Sequence, residues 1–160
     1  MAKIAKIVLD RTDRALLKHL QADASLSLNA LAEAVKLSPT PCWRRIQRME
    51  AAGVIRKRVA LLDAAAINVG VTVFVSVKTS QHNAEWLARF AKVVAAIPEV
   101  VEVYRMSGDI DYLMRVVVPD IAGYDAVYKK LIREIELFDV SSSFAMEQLK
   151  YTTALPLDYA

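Results

Sequence analysis

Two clusters of residues carry types and spacings that could do chemistry. The first is Ser38-Pro39-Thr40-Pro41-Cys42-Trp43-Arg44-Arg45-Ile46-Gln47-Arg48-Met49-Glu50. At about 100° per residue, Cys42, Ile46 and Met49 fall on one side of a helix, with Trp43 at its border. Thr40, Arg44, Gln47 and Arg48 fall on the other. An Arg fork can hold guanine O6 and N7 together, and a Gln amide can do the same for adenine N6 and N7. Thr40 and Arg45, near the helix ends, suit phosphates, and Ser38 at the helix start joins them. Arg56, Lys57 and Arg58 follow closely and would neutralise backbone charge. The plain alternative is a solvated basic face. The second cluster, Met106-Ser107-Gly108-Asp109-Ile110-Asp111-Tyr112, reads on its own as a hairpin turn. Asp109 and Asp111, two apart on such a loop, make no acid–base pair.

The elements that must position these residues follow from spacing. Asp10 can cap a helix with Asp13 answering in the first turn, and Leu16, Leu17 and Leu20 form its apolar stripe. Ser27 caps a second helix that turns Leu28, Leu31, Ala32 and Val35 inward. After the turn at Lys36-Leu37, Ser38-Pro39 opens the third helix, and Gly53 stops it. Val54 to Leu62 is β-prone and basic. Three short helices followed by a strand ribbon read as a winged helix-turn-helix. The period then changes. Val69, Val71, Val73, Val75 and Val77 alternate with Gly70, Thr72, Phe74, Ser76 and Lys78, which is a strand. Residues 83–97 are helical in spacing, Val100–Met106 and Tyr112–Val118 are strands, and Asp120 caps another helix through Ile135. Val140–Leu149 is a final strand. The order β-α-β-β-α-β predicts a ferredoxin-like sheet with helices on one face and self-association covering the other. The expected class is α+β, with residues 1–63 as DNA-binding domain and 64–160 as a second domain.

Composition narrows the function classes. The 55% hydrophobic and 24% charged fractions exclude wholesale disorder. One cysteine and two histidines exclude a disulfide scaffold and make a metal site a poor reading. Cys42 lies on the apolar stripe, so a buried inert thiol is preferred to a redox sensor. No apolar run approaches the ~20 residues of a membrane helix. Met1–Leu9 shows no signal peptide, so a cytoplasmic protein is expected, with no membrane partner. Residues 1–63 hold twelve Lys or Arg against six Asp or Glu, whereas residues 64–160 hold nine against twelve. A basic module on a mildly acidic body suggests that the first part meets a polyanion.

The stretch Leu37–Ile55, together with Met106-Ser107-Gly108-Asp109-Ile110-Asp111-Tyr112-Leu113, resembles the Lrp/AsnC family of transcriptional regulators. The similarity runs over about residues 9–155. The tail Ser141–Thr153 looks closest to a branch holding a cysteine-responsive regulator and proline-catabolism regulators. The resemblance implies a sequence-specific regulator that binds double-stranded DNA, dimers through the C-terminal sheet, often octamers, and a free amino acid held between protomers near the 106–112 loop. It implies no cofactor and a bacterial, nucleoid-associated protein. An amino acid is a zwitterion, so its pocket needs both signs. Gly108 would let backbone N–H groups approach a carboxylate, and Asp109 or Asp111 would accept from the ammonium. Tyr104, Met106 and Tyr112 would form walls, with Ser107 completing the effector set. Two other classes stay open. Some tetrapyrrole decarboxylases are similar in fold, but His19 and His82 lie far apart in the pattern and no catalytic constellation stands out. A low-specificity DNA-architectural protein is the third reading.

Overall fold

The computed structural model describes residues 7–160. Met1–Lys6, with Lys3 and Lys6 of the basic segment and the start of the stretch read for a signal peptide, lie outside the described residues. The chain forms two compact units: one extends to Ala60 and also takes in Lys150–Ala160, and the other is Leu61–Leu149. The expected boundary at 63/64 did not foresee that the final residues pack with the first unit.

In the first unit, α1 (Arg11–Ala22), α2 (Leu28–Ala34) and α3 (Pro39–Ala51) each start at a signal legible in the sequence. Asp10 and Asp13 form the capping box: the Asp13 amide donates to Asp10 Oδ1 at 2.8 Å, and the Asp10 amide donates to Asp13 Oδ2 at 3.1 Å. Ser27 Oγ accepts from the Ala30 amide. Ser38 occupies the cap of α3 but its side chain makes no capping bond; Pro39 behind it supplies the fixed φ that a helix start needs. The turn between α2 and α3 closes with Lys36 in the left-handed region, φ 56°, where the amides of Lys36 and Leu37 donate to the carbonyls of Glu33 and Ala32. Gly53, φ 73°, closes α3 the same way, with its own amide and that of Val54 donating to Glu50 and Met49. Leu16, Leu17, Leu31, Ala32, Cys42, Ile46 and Met49 are the buried core of this unit. The segment Val54–Leu62 forms no strand. It is β-prone, but among the described residues no ladder partner meets it, and propensity alone does not hold a strand.

The second unit is built from β1 (Val71–Lys78), α4 (Ala84–Ala95), β2 (Val100–Arg105), β3 (Tyr112–Val118), α5 (Ile121–Glu134) and β4 (Asp139–Phe144). The sheet order is β2-β3-β1-β4, and every pairing is antiparallel. This is the expected split βαβ arrangement. The first strand starts two residues later than expected, after a turn in which the Val69 amide donates to Ala64 and Asn68 has φ 60°. The last strand ends five residues earlier, because after the Ala145 amide donates to Thr72 the pairing with β1 stops. On one sheet face Val73, Val75 and Val77 lie beside Met114, Val116 and Val118 under Trp86, Phe90 and Val94 of α4 and Tyr124, Val127 and Leu131 of α5. Among the described residues, no helix of this unit packs on the other face. By register that face presents Phe74, Leu113, Val117 and Tyr104, with Arg115 Nη2 paired to Glu102 Oε1 at 2.6 Å.

Candidate nucleic-acid interface and effector loop

The third helix presents its apolar stripe to α1 and α2, as its spacing requires, which leaves Thr40, Trp43, Arg44, Gln47 and Arg48 exposed. The structure separates these cations into bound and free. Asp13 is fully buried, and Arg45 Nη1 donates to its Oδ1 at 2.8 Å while Arg48 Nη2 donates to its Oδ2. Arg45 Nη1 also donates to Asp10 Oδ2 at 2.6 Å. The Asp13 amide, and then the Arg45 guanidinium, hold the Asp10 carboxyl below its ordinary value; the two carboxylates push Arg45 up. A second acid collects the far end of the helix: Glu50 accepts from Gln47 Nε2 at 2.7 Å and from Arg58 Nη2 at 2.8 Å. Arg45, Gln47, Arg48 and Arg58 are therefore engaged by their own chain, which the sequence expectation of a freely outward Arg48 and Gln47 did not foresee. A buried carboxylate must be paired, and α1 supplies one opposite α3. Ser38, Thr40, Arg44, Arg56 and Lys57 are exposed and make no side-chain hydrogen bond or ion pair among the described residues. Trp43, 51% exposed, stands in the same surface. Its border position on the helical wheel was the only signal for it.

The second cluster spans the β2–β3 connection. The Met106 amide donates to the Asp111 carbonyl at 2.8 Å, closing the loop. Gly108 at its tip has φ 123°, and a Cβ built there would meet nothing within 4 Å. Backbone conformation, rather than crowding, is what asks for glycine here. Ser107, Gly108 and Asp109 are exposed, and Asp109 has no partner among the described residues. Asp111 is engaged: its Oδ2 accepts from the Thr79 amide at 2.8 Å, its own amide donates to Val77, and its Oδ1 lies 3.9 Å from His82 Nδ1. It ties the β2–β3 loop to the β1–α4 loop. Tyr112 does not line a cavity at this loop. It is buried beneath α4, with its ring centroid 4.6 Å from Phe90 and 5.6 Å from Trp86. The strand alternation that puts Leu113 on the open face puts Tyr112 in the core. Tyr104 and Met106 remain exposed, and the Tyr104 hydroxyl donates to Glu102 Oε2 at 3.0 Å.

Among the described residues there is no grouping of three metal-ligating side chains, and no helix long and apolar enough to cross a membrane. A helix-turn-helix whose third helix shows a free guanidinium, in one chain with a split βαβ unit, defines a DNA-binding transcriptional regulator. The comparisons agree. A winged helix-turn-helix DNA-binding model matches residues 9–56, and the Lrp/AsnC ligand binding domain matches residues 72–155. The DNA-binding transcriptional activator DecR of Escherichia coli (strain K12) is 53% identical over 94% of this chain and 100% of its own length. The crystal structure of an AsnC family transcriptional regulator from Agrobacterium tumefaciens is 65% identical, with a TM-score of 0.92 over 94% of this chain and 99% of that one. A transcriptional regulator from Neisseria meningitidis, solved as an L-Met complex, is 34% identical, with a TM-score of 0.90 over 95% and 99%. The chain belongs to the Lrp/AsnC family of transcriptional regulators.

Proposed function

We propose that this regulator recognises a specific DNA sequence through α3 and answers to a free amino acid bound at the 106–111 loop. The observation that carries the DNA part is that Arg44 alone among the arginines of α3 is left without an acid partner among the described residues. Its guanidinium is free for a bidentate base contact. Arg56 and Lys57, with Ser38 and Thr40, suit phosphates, and Trp43 offers an apolar face for the sugar edge. Arg45 and Arg48 act from behind, fixing α3 on α1. Gel shifts against a ligand selected from a randomised duplex pool test this. Arg44→Ala weakens the selected site by about 1–3 kcal/mol with unchanged thermal midpoint. Retained affinity removes Arg44 from the interface. An equal loss on random duplex would favour the low-specificity architectural reading instead.

The effector reading is supported by the ligand-binding family match, by the L-Met bound in the Neisseria relative, and by the chemistry of the loop. Gly108 leaves main-chain amides open to a carboxylate, and the free Asp109 carboxylate can accept from an ammonium. Tyr104 and Met106 supply walls; Asp111 positions the loop. Protomers pair through the open sheet face of Phe74, Tyr104, Leu113 and Val117, and dimers assemble to an octamer on the nucleoid. A thermal-shift panel of the twenty amino acids identifies the effector, because a ligand of the folded state raises its apparent stability. Sedimentation with and without that amino acid reads the assembly.

A further inference from the structure

The last residues of the chain do not trail from the sheet. Leu157 is partly buried and packs against the hydrophobic core of the helix-turn-helix unit. Gln21, in the last turn of α1, holds Leu155 by both of its main-chain groups: the Leu155 amide donates to Gln21 Oε1 at 2.7 Å, and Gln21 Nε2 donates to the Leu155 carbonyl at 3.2 Å. Arg14, two turns earlier on α1, donates from Nη1 to the main-chain oxygen of Ala160 at 2.7 Å. Pro156 prepares this geometry. The residue before a proline is driven to an extended backbone, so Leu155 shows its N–H and C=O side by side as a strand would, and a primary amide is the side chain that can answer both. Proline also lowers the entropy lost when the segment docks. Leu157 and Ala160 lie beyond both family matches, which end at residues 56 and 155.

We infer that this face of α1 is a docking surface for the chain's own C-terminal segment, Leu155–Ala160, and that the segment is a strap. It runs on from β4, the last strand of the ligand-binding unit, and ends on the first helix of the DNA-binding unit. The DNA-binding unit is thus held to the rest of the chain at two points, the linker after α3 and the strap on α1. A change at β4 has a path to α1 that bypasses the linker.

The test uses the full-length chain carrying Ala22→Cys and Ala154→Cys, exposed neighbours of the Gln21–Leu155 contact that leave the Gln21 amide in place, treated at low micromolar concentration with a bismaleimide. Cys42 stays in place, since it is buried and burial pushes its thiol up; the unsubstituted chain is the control. The expected product is an internally bridged monomer, with its yield cut several-fold when Leu157→Asp is added. A covalent dimer would show the segment docking on a second copy and overturn the own-chain assignment; no bridging overturns the docking itself. Hydrogen exchange gives the second reading. In Leu157→Asp, amides of α1 exchange at least tenfold faster while those of β1 and β3 do not change. Equal protection of α1 in both proteins overturns the strap.

Discussion

At the scale of single residues, the interface is decided by which cations have acids. Asp13 is buried, so each arginine removed from it leaves a charge short of partners. Arg48→Ala lowers stability by about 1–2 kcal/mol, discounted because Arg48 is itself half exposed. Thermal or urea unfolding checks this, and a double-mutant cycle with Arg45→Ala should show the two effects are not additive, since they share one carboxylate. Any loss of DNA affinity in Arg48→Ala should follow the loss of fold, unlike that of Arg44→Ala. The Asp10 carboxyl is held below its ordinary value by the Asp13 amide and Arg45. A depressed carboxylate contributes stability that is present above the unfolded-state value and is lost as pH falls through the folded one. Asp10→Asn should therefore show its full, pH-independent deficit in the neutral region, and that deficit should shrink below about pH 4, flattening the acid limb of the stability profile. The pairing of arginines with these carboxylates could not be read from the sequence. The helical wheel shows which side of α3 is polar, but the partners of Arg45 and Arg48 lie 32 to 35 residues away in the chain. Local spacing contains no information about them.

At the scale of elements, the sequence was legible wherever a local rule sufficed. The capping box, the Ser27 and Asp120 caps and the alternating valines all depend on neighbours within four residues or on a strict period, and each element they announce is present. The missing wing strand, the early end of β4 and the burial of Tyr112 depend on distant partners, and there the pattern alone fell short. Lys36 sits in the left-handed region inside the α2–α3 turn, with its side chain exposed. Lys36→Gly should raise stability by about 1 kcal/mol without changing the turn, measurable as a shift in unfolding midpoint. Gly108 has the opposite character. A Cβ there finds open space, so Gly108→Ala costs only its backbone strain, about 1–2 kcal/mol of loop conformation, and should weaken the amino-acid response more than it lowers the melting temperature.

At the scale of the whole molecule, charge is unevenly spread between the units. Arg44, Arg56 and Lys57, left without an acid partner among the described residues, belong to the helix-turn-helix unit. Binding to duplex DNA should therefore fall steeply with salt, and Lys57→Ala should weaken all duplexes alike and lower the log–log salt slope by about one. A flat titration would remove DNA backbone contact from the account. The two tryptophans are divided between the units as well. Trp43 stands in water on α3, whereas Trp86, on α4, is buried against the sheet, its ring stacked on Phe90 and its indole N–H donating to the Glu136 carbonyl. Each unit thus carries one built-in fluorophore in a contrasting medium, the exposed indole emitting to the red and the sheltered one to the blue. Duplex titration should quench the red component first. Without any label, the chain can report separately on the half that meets nucleic acid and the half that meets the metabolite.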